Sequence, residues 1–600
     1  MSRSLRTLGF VVLALAIALA FAVADLLFFT RTEVGLERVR RVVVHQLERR
    51  VQGALRIERI TSERGFLGGA TIHRLEIADT LGRPFVRADS LRLSYGLRDL
   101  VAGRISFSRV SIDGAEVYLE RLPGDTLWNF QRIFADTTPG EAGGAGPLIL
   151  FEQARITNSR LVVRYPWAPD EPIEEPDDTA RLILREAPGG LVRELRFEDV
   201  NADLPQVLWE SPLEEGRMFR VRSLSTRGYI WEDPFDLRDL RGVVTMRDSV
   251  IAFDIDRFQL PATRGSGLGR IITGEETRYD IEIDGDEVAL ADLRWLYPPL
   301  PEEGGGNLKF RIQTVPQGTL WLARDARIRT PTTEMAGNFG IVTGDTLYLT
   351  EIALRASPLD LELLERVLPI EIPVEGVLVG TVEVEGPISS LTTRGDLRLV
   401  ARGGETSPGA AVRWHGTVDL SPPYGVQNLV AEIRRLDLAL LSEFRPSVGI
   451  GGHVDGRIEA TGRFDRDLRF AASLRHRVGD GAVSSLEGQG RLTRIDGRRA
   501  LDATIEARPL ALDGVAAAFP ALVRLTGEAS GPIHVRGALD DLAVDADLAT
   551  SAGRLRLDGG IVVGDGAPRY RGGGRLENFR LAQVLSGLDV AETILDASFG

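Results

Sequence analysis

Six histidines are the first residues to consider for metal binding or acid-base catalysis. They are His45, His73, His415, His453, His476 and His534. They stand singly, and no pair has the H-x-x-x-H or H-E-x-x-H spacing that would place two imidazoles on one face of a helix around a metal ion. A lone histidine in a polar strand is most often a surface residue, so these positions predict neither a metal site nor a catalytic base.

Two short motifs could bind a ligand through other groups. The acidic triplet Asp280, Glu282 and Asp284 would project from one face of a strand, which makes Ca²⁺ the candidate ligand. Position 291 is alanine, however, where an EF-hand loop needs a bidentate glutamate. Gly304–Gly306 precedes Lys309 without the G-K-[ST] ending of a phosphate-binding loop, which favours a flexible turn. No Ser, His and Asp set carries a G-x-S-x-G motif, so we predict no catalytic residue, no cofactor and no metal ion.

The composition is that of a folded protein without thiol chemistry. Apolar residues make up 43% and charged residues 26% of the 600 positions, which argues against wholesale disorder. The net charge of -14 argues against nucleic acid as a partner, because phosphate binding needs clustered cations. The chain has no cysteine, which excludes disulfides, thiolate metal sites and a lipid-modified cysteine.

Nine glycines form three copies of one motif, G-x3-G-x5-G. They are Gly376, Gly380 and Gly386; Gly452, Gly456 and Gly462; and Gly527, Gly531 and Gly537. Apolar segments that end in proline precede the copies. They end at Pro298, in a weaker copy, and at Pro369, Pro446 and Pro520, at intervals of 71, 77 and 74 residues, and a fifth begins at Phe579. A unit repeated at this period predicts an elongated array.

Each apolar segment is predicted to be a short helix that opens a repeat of about 75 residues. In the second segment Leu361, Leu364 and Val367 recur at helical spacing. The proline that follows disfavours helix in the residue before it and passes the chain to the next strand. The glycines then lie in strands, where they mark bulges and bends that would keep a sheet curled.

The N-terminus is predicted to be a membrane anchor. Residues 8–29 form the apolar run, after a cytoplasmic tail at 1–7 that contains Arg3 and Arg6. The anchor residues with the largest apolar side chains are Leu8, Phe10, Leu13, Leu15, Phe21, Leu26, Leu27, Phe28 and Phe29. The positive-inside rule leaves the tail in the cytoplasm and sends the rest across. The alternative is a signal peptide cleaved after Ala24; we favour the uncleaved anchor because the run continues past that site. Both interpretations export the chain.

Residues 30–58 are predicted to be a juxtamembrane amphipathic helix, because Leu36, Val39, Val43 and Leu47 form one apolar stripe. Its arginines would lie near anionic headgroups, or would form the solvated face of a helix that caps the first sheet. Strands follow, as a first β unit at 59–135, a linker at 136–147, a β-rich region at 148–285 and tandem repeats at 286–600, the last one incomplete. Asp113-Gly114 lies between two alternating runs and predicts a hairpin.

The anchor, the segment from Gly65 to Arg121 and the later repeats resemble the AsmA-like and TamB-like proteins of Gram-negative envelopes, which are bridge-like lipid-transfer proteins. Within that resemblance, Phe66–Gly69 matches the turn before the first long hairpin and Gly82–Pro84 matches a G-x-P turn. The resemblance implies an inner-membrane anchor that carries a long β groove, similar to a β-taco, through the periplasm. It also implies a role in lipid transport between membranes or in outer-membrane protein assembly. In the TamB-like members a C-terminal β domain engages the outer membrane. The sequence here stops at Gly600 within its last repeat, so we expect it either to be a fragment of a longer protein or to lack that domain.

A sheet with one apolar face must bury that face against helices, another sheet or a ligand. The sequence leaves two arrangements open: a chain of β-sandwiches, or a mainly β trough whose apolar lining holds acyl chains. Roughly 50 strands at ~4.8 Å would give a trough on the order of 200 Å, enough to bridge two membranes. Candidate lining residues are Leu91, Leu93, Tyr95, Val382 and Val384.

The leading functional hypothesis is therefore a single-pass inner-membrane protein, with its bulk in the periplasm, that passes phospholipid to the outer membrane and supports outer-membrane integrity. The second is an assembly factor in protein secretion, which would offer strand edges to outer-membrane barrels or autotransporters. The expected partners are phospholipid, the inner membrane and an outer-membrane barrel of the assembly-machinery type. No motif favours a third class, an exported enzyme.

Overall fold

The structure is a computed structural model. It describes residues 41, 53–62, 69–95, 105–133, 149–167, 181–210, 216–274, 277–367, 376–400, 410–438, 451–464, 466–479, 481–495, 497–514, 526–562, 569–580 and 594–599. Of these residues 75% lie in strands and 5% in helices, which confirms the prediction of a mainly β protein. The predicted anchor at 8–29 and the linker at 136–147 lie outside the described residues. Among the described helices, none combines the length and the apolar character needed to cross a bilayer.

The chain divides into two compact units, an N-terminal unit, Met1–Glu302, and a C-terminal unit, Glu303–Gly600. The strands of the N-terminal unit are β1 (Ala54–Thr61), β2 (Gly69–Ala78), β3 (Pro84–Tyr95), β4 (Ile105–Glu120), β5 (Ile149–Phe151), β6 (Ala154–Pro166), β7 (Leu184–Ala187), β8 (Gly190–Leu204), β9 (Gln206–Glu210), β10 (Arg217–Val221), β11 (Ser223–Tyr229), β12 (Phe235–Leu237), β13 (Asp239–Arg247), β14 (Val250–Gln259), β15 (Arg264–Ile272) and β16 (Arg278–Ala289).

The described residues of the C-terminal unit form 17 strands. They are β17 (Gly305–Val315), β18 (Gly318–Arg329), β19 (Glu334–Thr343), β20 (Tyr348–Asp360), β21 (Val377–Pro387), β22 (Leu391–Val400), β23 (Ala411–Asp419), β24 (Gly425–Asp437), β25 (His453–Arg463), β26 (Asp467–Arg477), β27 (Val483–Ile495), β28 (Arg498–Ala511), β29 (Glu528–Ala538), β30 (Asp541–Thr550), β31 (Gly553–Val562), β32 (Arg569–Arg580) and β33 (Ile594–Phe599).

The C-terminal unit is an antiparallel meander. Each described strand from β18 to β32 pairs with the strand before it and the strand after it in the chain. The result is one continuous open sheet, and the described strands of this unit do not form the two stacked sheets of a sandwich. The sandwich alternative is therefore not supported in this unit.

The N-terminal unit has a different topology. Strands β1 to β4 form an antiparallel meander, but β4 then pairs in parallel with β5 and β6. The predicted hairpin at Asp113-Gly114 is wrong, because β4 runs through both residues as a single strand. Gly114 has a φ of 63° there. Asp113 accepts hydrogen bonds from Thr157 at 2.6 Å and Asn158 at 3.1 Å on β6, so the dipeptide serves strand pairing instead of a turn.

The predicted helix at 30–58 conflicts with the structure at its C-terminal end, where β1 begins at Ala54. Leu55 and Ile57 belong to that strand and are buried, because β2 pairs along it. The G-x-P turn at Gly82–Pro84 matches the structure, since β2 ends at Ala78 and β3 begins at Pro84. Most of the remaining helix prediction lies outside the described residues.

The described helices are short. They are α1 (Asn129–Ile133), the 3-10 helix η1 (Leu290–Leu293) and α2 (Leu361–Val367). Helix α2 confirms the predicted helix in the segment 359–369, although the first two residues of the segment still belong to β20. Helix η1 occupies the corresponding place in the weaker segment that ends at Pro298. In the segment 510–520, residues 512–514 begin a helical turn. Most of the segments at 436–446 and 510–520 lies outside the described residues.

Candidate functional site

The candidate site is one side of the C-terminal sheet, called here the apolar face. Because side chains alternate across a strand, pairing in register places every second residue of each strand on this side. It includes, from β17 to β32, Phe310, Ala323, Phe339, Ile352, Val384, Leu397, Trp414, Ile433, Ile458, Phe470, Leu486, Ile505, Ile533, Ala546, Leu557 and Leu576. The apolar face therefore continues across 16 consecutive strands.

Strand β26 shows how the sequence produces this face. Its residues on the apolar side are Leu468, Phe470, Ala472 and Leu474, and those on the other side are Arg469, Ala471, Ser473 and Arg475. Leu468 is buried, but Phe470 and Leu474 are only half-buried, although both are flanked by paired strands. Their remaining accessible surface faces away from the sheet, where the described part of the unit supplies no second sheet.

Val382 and Val384, two of the predicted lining residues, lie on the apolar face. Val382 is paired with Leu354 on one side and Gly395 on the other, and Val384 is paired with Ile352 on β20. Both valines are half-buried. The structure therefore places them among apolar neighbours within the sheet and leaves part of each side chain accessible.

Leu91 and Leu93 lie in the N-terminal unit and have more packing partners. Leu91 is paired with Ile72 on β2, and Leu93 is paired with Val110 on β4. Both leucines pack against two clusters of buried side chains, so they belong to a core as well as to a sheet face. Tyr95 ends β3, and its side chain lies outside the described part of the structure.

Two leucines six residues apart follow each copy of the glycine motif, such as Leu391 and Leu397 or Leu468 and Leu474, and leucines of these pairs are paired with glycines of the motif across two adjacent strands. Gly380 is paired with Leu397 and Gly456 with Leu474, in the same register. At the third glycine of each copy the neighbour is the other leucine, as in the pairing of Gly462 with Leu468. The second and third glycines of a copy are six residues apart, and so are the two leucines. Regular antiparallel pairing therefore places each of these glycines opposite a leucine.

All nine motif glycines have a φ between 95° and 155°, a range that L side chains rarely adopt. At the second glycine, an added methyl group would overlap the backbone carbonyl oxygen before the partner leucine, for example that of Ser473 opposite Gly456. The preceding strand has a register shift at the same place in each repeat, at Ala356/Leu359, Ile433/Leu436 and Ala507/Leu510. Each repeat therefore carries a register shift at the same place, which is the pattern expected of a β-bulge.

Aromatic rings on the apolar faces lie over glycines of the neighbouring strand. The Trp414 indole covers Gly395, and a methyl group on Gly490 would come 2.6 Å from Cζ of Phe470. In the N-terminal unit the Phe235 ring covers Gly228 in the same way. Because the rings occupy the space above glycines, they lie along the sheet instead of standing out from it.

A repeated set of hydrogen bonds fixes the start of each proline-terminated segment. The backbone N–H of Leu361, Leu438 and Leu512 donates to the carbonyl of the first motif glycine, at 3.2, 2.9 and 2.9 Å. The residue before Leu361 and the residue before Leu512 each donate their backbone N–H to a side-chain hydroxyl. Asp360 donates to Thr333 at 3.0 Å, and Ala511 donates to Ser484 at 2.9 Å. In the weaker copy Thr263 accepts from the Ala289 N–H at 3.0 Å.

These hydroxyls were not identified from the sequence. They are Thr263, Thr333 and Ser484, and all three are buried. In the sequence, each of them lies 26 or 27 residues before the residue whose backbone N–H donates to it. A search for that spacing within the repeats could have found them.

The opposite side of the C-terminal sheet carries cross-strand ion pairs. Arg324 donates to Glu351 at 2.8 Å and Arg413 to Asp396 at 2.6 Å. The hydrogen bond from Arg324 lowers the pKa of Glu351. Exposed pairs of this kind contribute little to stability, about 0–1 kcal/mol each. They make one side of the sheet compatible with water while the other remains apolar.

A buried polar network closes one end of the N-terminal unit. Asp79 is fully buried and pairs with Arg83 at 3.1 Å, and Arg83 also contacts Asp125 at 2.8 Å. Arg132 on α1 donates to Asp125 at 3.1 Å. Burial opposes ionisation of Asp125, but the hydrogen bonds from Arg132 and Arg83 prevail and lower its pKa to about 2. This network holds the turn after β2 against α1.

The acidic triplet lies on β16, with its carboxylates on the side opposite Ile281 and Ile283. Asp280 accepts a hydrogen bond from Arg270 at 3.1 Å. Within the described ranges, no group of three or more potential ligands is arranged to hold a metal ion. The structure therefore does not bring the triplet together with other ligands into a calcium site.

No family model, curated protein or solved structure matches the chain.

Proposed function

We propose that the protein is an inner-membrane-anchored periplasmic bridge that carries phospholipid between the inner and outer membranes along its apolar face, without catalysis. The observation that carries this proposal is the continuity of the apolar face from β17 to β32, with side chains such as Ile458, Phe470 and Leu486 only half-buried. An apolar surface of this extent is stabilised when acyl chains cover it, at about 25 cal/mol per Å² removed from water.

The local geometry supports passage along the face. A register shift recurs at the same place in each repeat, and the rings of Phe470 and Trp414 lie over glycines, so they leave space above the sheet. The proposal places this protein with the AsmA-like and TamB-like bridge proteins that its sequence resembles. The apolar run at 8–29 would anchor it, with the N-terminus in the cytoplasm.

The alternative function, an assembly factor that pairs its strand edges with outer-membrane barrel proteins, has less support. Pairing of this kind requires a free strand edge. In the described C-terminal unit, strands β18 to β32 are paired along both edges, which restricts free edges to the ends of the meander.

The proposal is tested by extracting lipid from the full chain purified from membranes, followed by mass spectrometry. We expect phospholipid to remain bound after the anchor has been exchanged into lipid-free detergent and to exceed the amount bound by an unrelated single-pass anchor. Recovery of no more lipid than that control would contradict the proposal. Cross-links from terminal strands to nascent barrel proteins, in the absence of bound lipid, would favour the assembly function.

A further inference from the structure

The N-terminal unit contains two arginines that share one indole ring. The guanidinium carbon of Arg193 lies 4.9 Å from the centroid of the Trp231 ring, and that of Arg181 lies 5.3 Å from it. The side chain of Arg181 is held in place because its Nη2 donates to the Trp295 carbonyl at 2.6 Å and its Nη1 to the Leu296 carbonyl at 3.2 Å. Two positive charges are thus fixed around one aromatic ring.

Among the described residues, these charges have no acidic partner. Neither Arg181 nor Arg193 forms a salt bridge with a carboxylate of the described residues, whereas Glu194, the neighbour of Arg193 in the chain, pairs with Arg164 at 2.7 Å on the other side of the sheet. Three buried donors here find no acceptor: Nε of Arg181, Nε of Arg193 and Nε1 of Trp295. Arginine and tryptophan side chains only donate hydrogen bonds, so a ligand that satisfies them must be an acceptor, and two cations favour an anion.

An apolar surface leads to this cluster. Alternation along β8 places Arg193 on the same side as Leu195 and Phe197. These two residues are paired with Val163 and Leu161 of β6. The Phe197 ring contacts Phe235 edge-on at 6.5 Å, and Phe235 lies 4.9 Å from the Trp295 ring, measured between centroids. One side of the sheet therefore passes from aliphatic and aromatic side chains directly to two fixed cations.

We propose that Arg181, Arg193 and Trp231 form a binding site for the phosphate group of a phospholipid, whose acyl chains lie on Leu195 and Phe197. This inference rests on the proposed function and adds a headgroup site to it. The continuity with the apolar side selects a lipid phosphate over free inorganic phosphate, because a free ion would gain nothing from that surface.

Arg196 provides a matched control on the same strand. It lies on the opposite side of β8, where its guanidinium stacks on Tyr229 at 4.3 Å. Unlike Arg193 it has an acidic partner, because its Nε lies 3.1 Å from a carboxylate oxygen of Glu198. Replacement of Arg196 thus removes an arginine stacked on an aromatic ring without touching the proposed site.

The test uses the full chain in detergent and three probes: dioctanoyl phosphatidylglycerol, dioctanoylglycerol, which has the same acyl chains without phosphate, and inorganic phosphate. Calorimetry gives the affinity of each for the wild type, Arg193→Gln, Arg181→Gln and Arg196→Gln, with circular dichroism to confirm folding. We expect the wild type and Arg196→Gln to bind the phospholipid at least about tenfold more tightly than the diacylglycerol, as one charge-assisted hydrogen bond allows. Arg193→Gln and Arg181→Gln should each lose about tenfold for the phospholipid and bind the diacylglycerol unchanged.

The outcomes separate this inference from the proposed function. Equal binding of both lipids by the wild type would overturn the headgroup site and leave lipid carriage intact. Binding of neither lipid would remove the proposed function and this site with it. Inorganic phosphate binding as tightly as the phospholipid, and depending on Arg193, would replace the lipid by a free phosphate ligand. An equal loss in Arg196→Gln would show a general charge effect and contradict the inference.

Discussion

Gly456 on β25 lies directly opposite Leu474 on β26, and no side chain fits at the glycine. Its φ is 155°, and an added methyl group would overlap the carbonyl oxygen of Ser473. The same pair recurs as Gly380 and Leu397, so the relationship belongs to the repeat and not to one strand. The glycine lets the two backbones approach, and the leucine supplies apolar surface next to it.

Gly456→Ala is therefore expected to lower the free energy of unfolding by more than about 1 kcal/mol, because alanine is strained at positive φ and the carbonyl cannot easily move. Gly451→Ala is the control, since an added methyl group there meets no atom within 4 Å. Urea unfolding followed by circular dichroism measures both. A midpoint for Gly456→Ala equal to that of Gly451→Ala would show that the close approach is not required.

A second prediction concerns Val382 and Val384. Replacing both with aspartate should leave the protein folded, because half-buried side chains can keep a carboxylate hydrated, whereas an unpaired charge in a closed core costs several kcal/mol. The bound phospholipid should decrease, since the charges interrupt the apolar face. The control is Thr381→Asp on β21 with Thr392→Asp on β22, which puts two carboxylates on the exposed, opposite side of the sheet.

The measurements for this pair are proteolysis, circular dichroism and lipid content. Loss of fold in the valine variant alone would indicate a closed core at this position. A folded valine variant with the lipid content of the threonine control would rule out lipid passage over Val382 and Val384.

The third prediction concerns Thr333. Thr333→Val removes the acceptor of the Asp360 N–H, which is then buried without a partner. The expected loss is about 1–3 kcal/mol of unfolding free energy. Amide exchange should accelerate at Asp360 and in α2, since this hydrogen bond precedes the helix. Thr332→Val is the matched control, because Thr332 is exposed; similar exchange in both variants would dismiss the role of the buried hydroxyl.

The fourth prediction follows from Asp125, whose pKa is lowered to about 2. A carboxylate with a lowered folded-state pKa stabilises the protein above its unfolded pKa of about 3.9, and this contribution disappears as the pH falls toward 2. The stability difference between wild type and Asp125→Asn should thus be largest above about pH 5 and vanish near pH 2. Chemical unfolding at several pH values, followed by circular dichroism, gives this difference. A difference independent of pH would exclude an ionised Asp125 as its source.

Local pattern was enough to predict the strands and the repeat, because alternation and glycine spacing are properties of short segments. It also predicted α2, where Leu361, Leu364 and Val367 recur at helical spacing, although the first two residues of that segment continue β20. The parallel pairing of β4 with β6 could not be predicted this way, because it joins residues 44 apart, such as Val117 and Leu161. The hairpin prediction at Asp113-Gly114 is wrong for the same reason, since the hydrogen-bond partners of Asp113, Thr157 and Asn158, lie on that distant strand.

The candidate site was predictable in outline. The alternation predicts that Val382 and Val384 share one side of a strand, and both lie on the same side of β21. Alternation alone does not decide between an open sheet and a sandwich, because that depends on whether a second sheet covers the face; the described C-terminal unit is one open sheet. The cluster of Arg181, Arg193 and Trp231 was missed because its members lie on three separate segments and share no motif.

The four-strand period of the C-terminal unit has an evolutionary consequence. Strands β21 to β24, β25 to β28 and β29 to β32 each correspond to one repeat. Each repeat has an even number of strands, and neighbouring strands run antiparallel. After one repeat is removed or duplicated, the next strand therefore runs in the same direction as before and can pair with its new neighbour. Each repeat contacts only adjacent ones, so such a change adds or removes stability in units of one repeat. Descendants of this gene can therefore change the number of strands by recombination without redesigning either end.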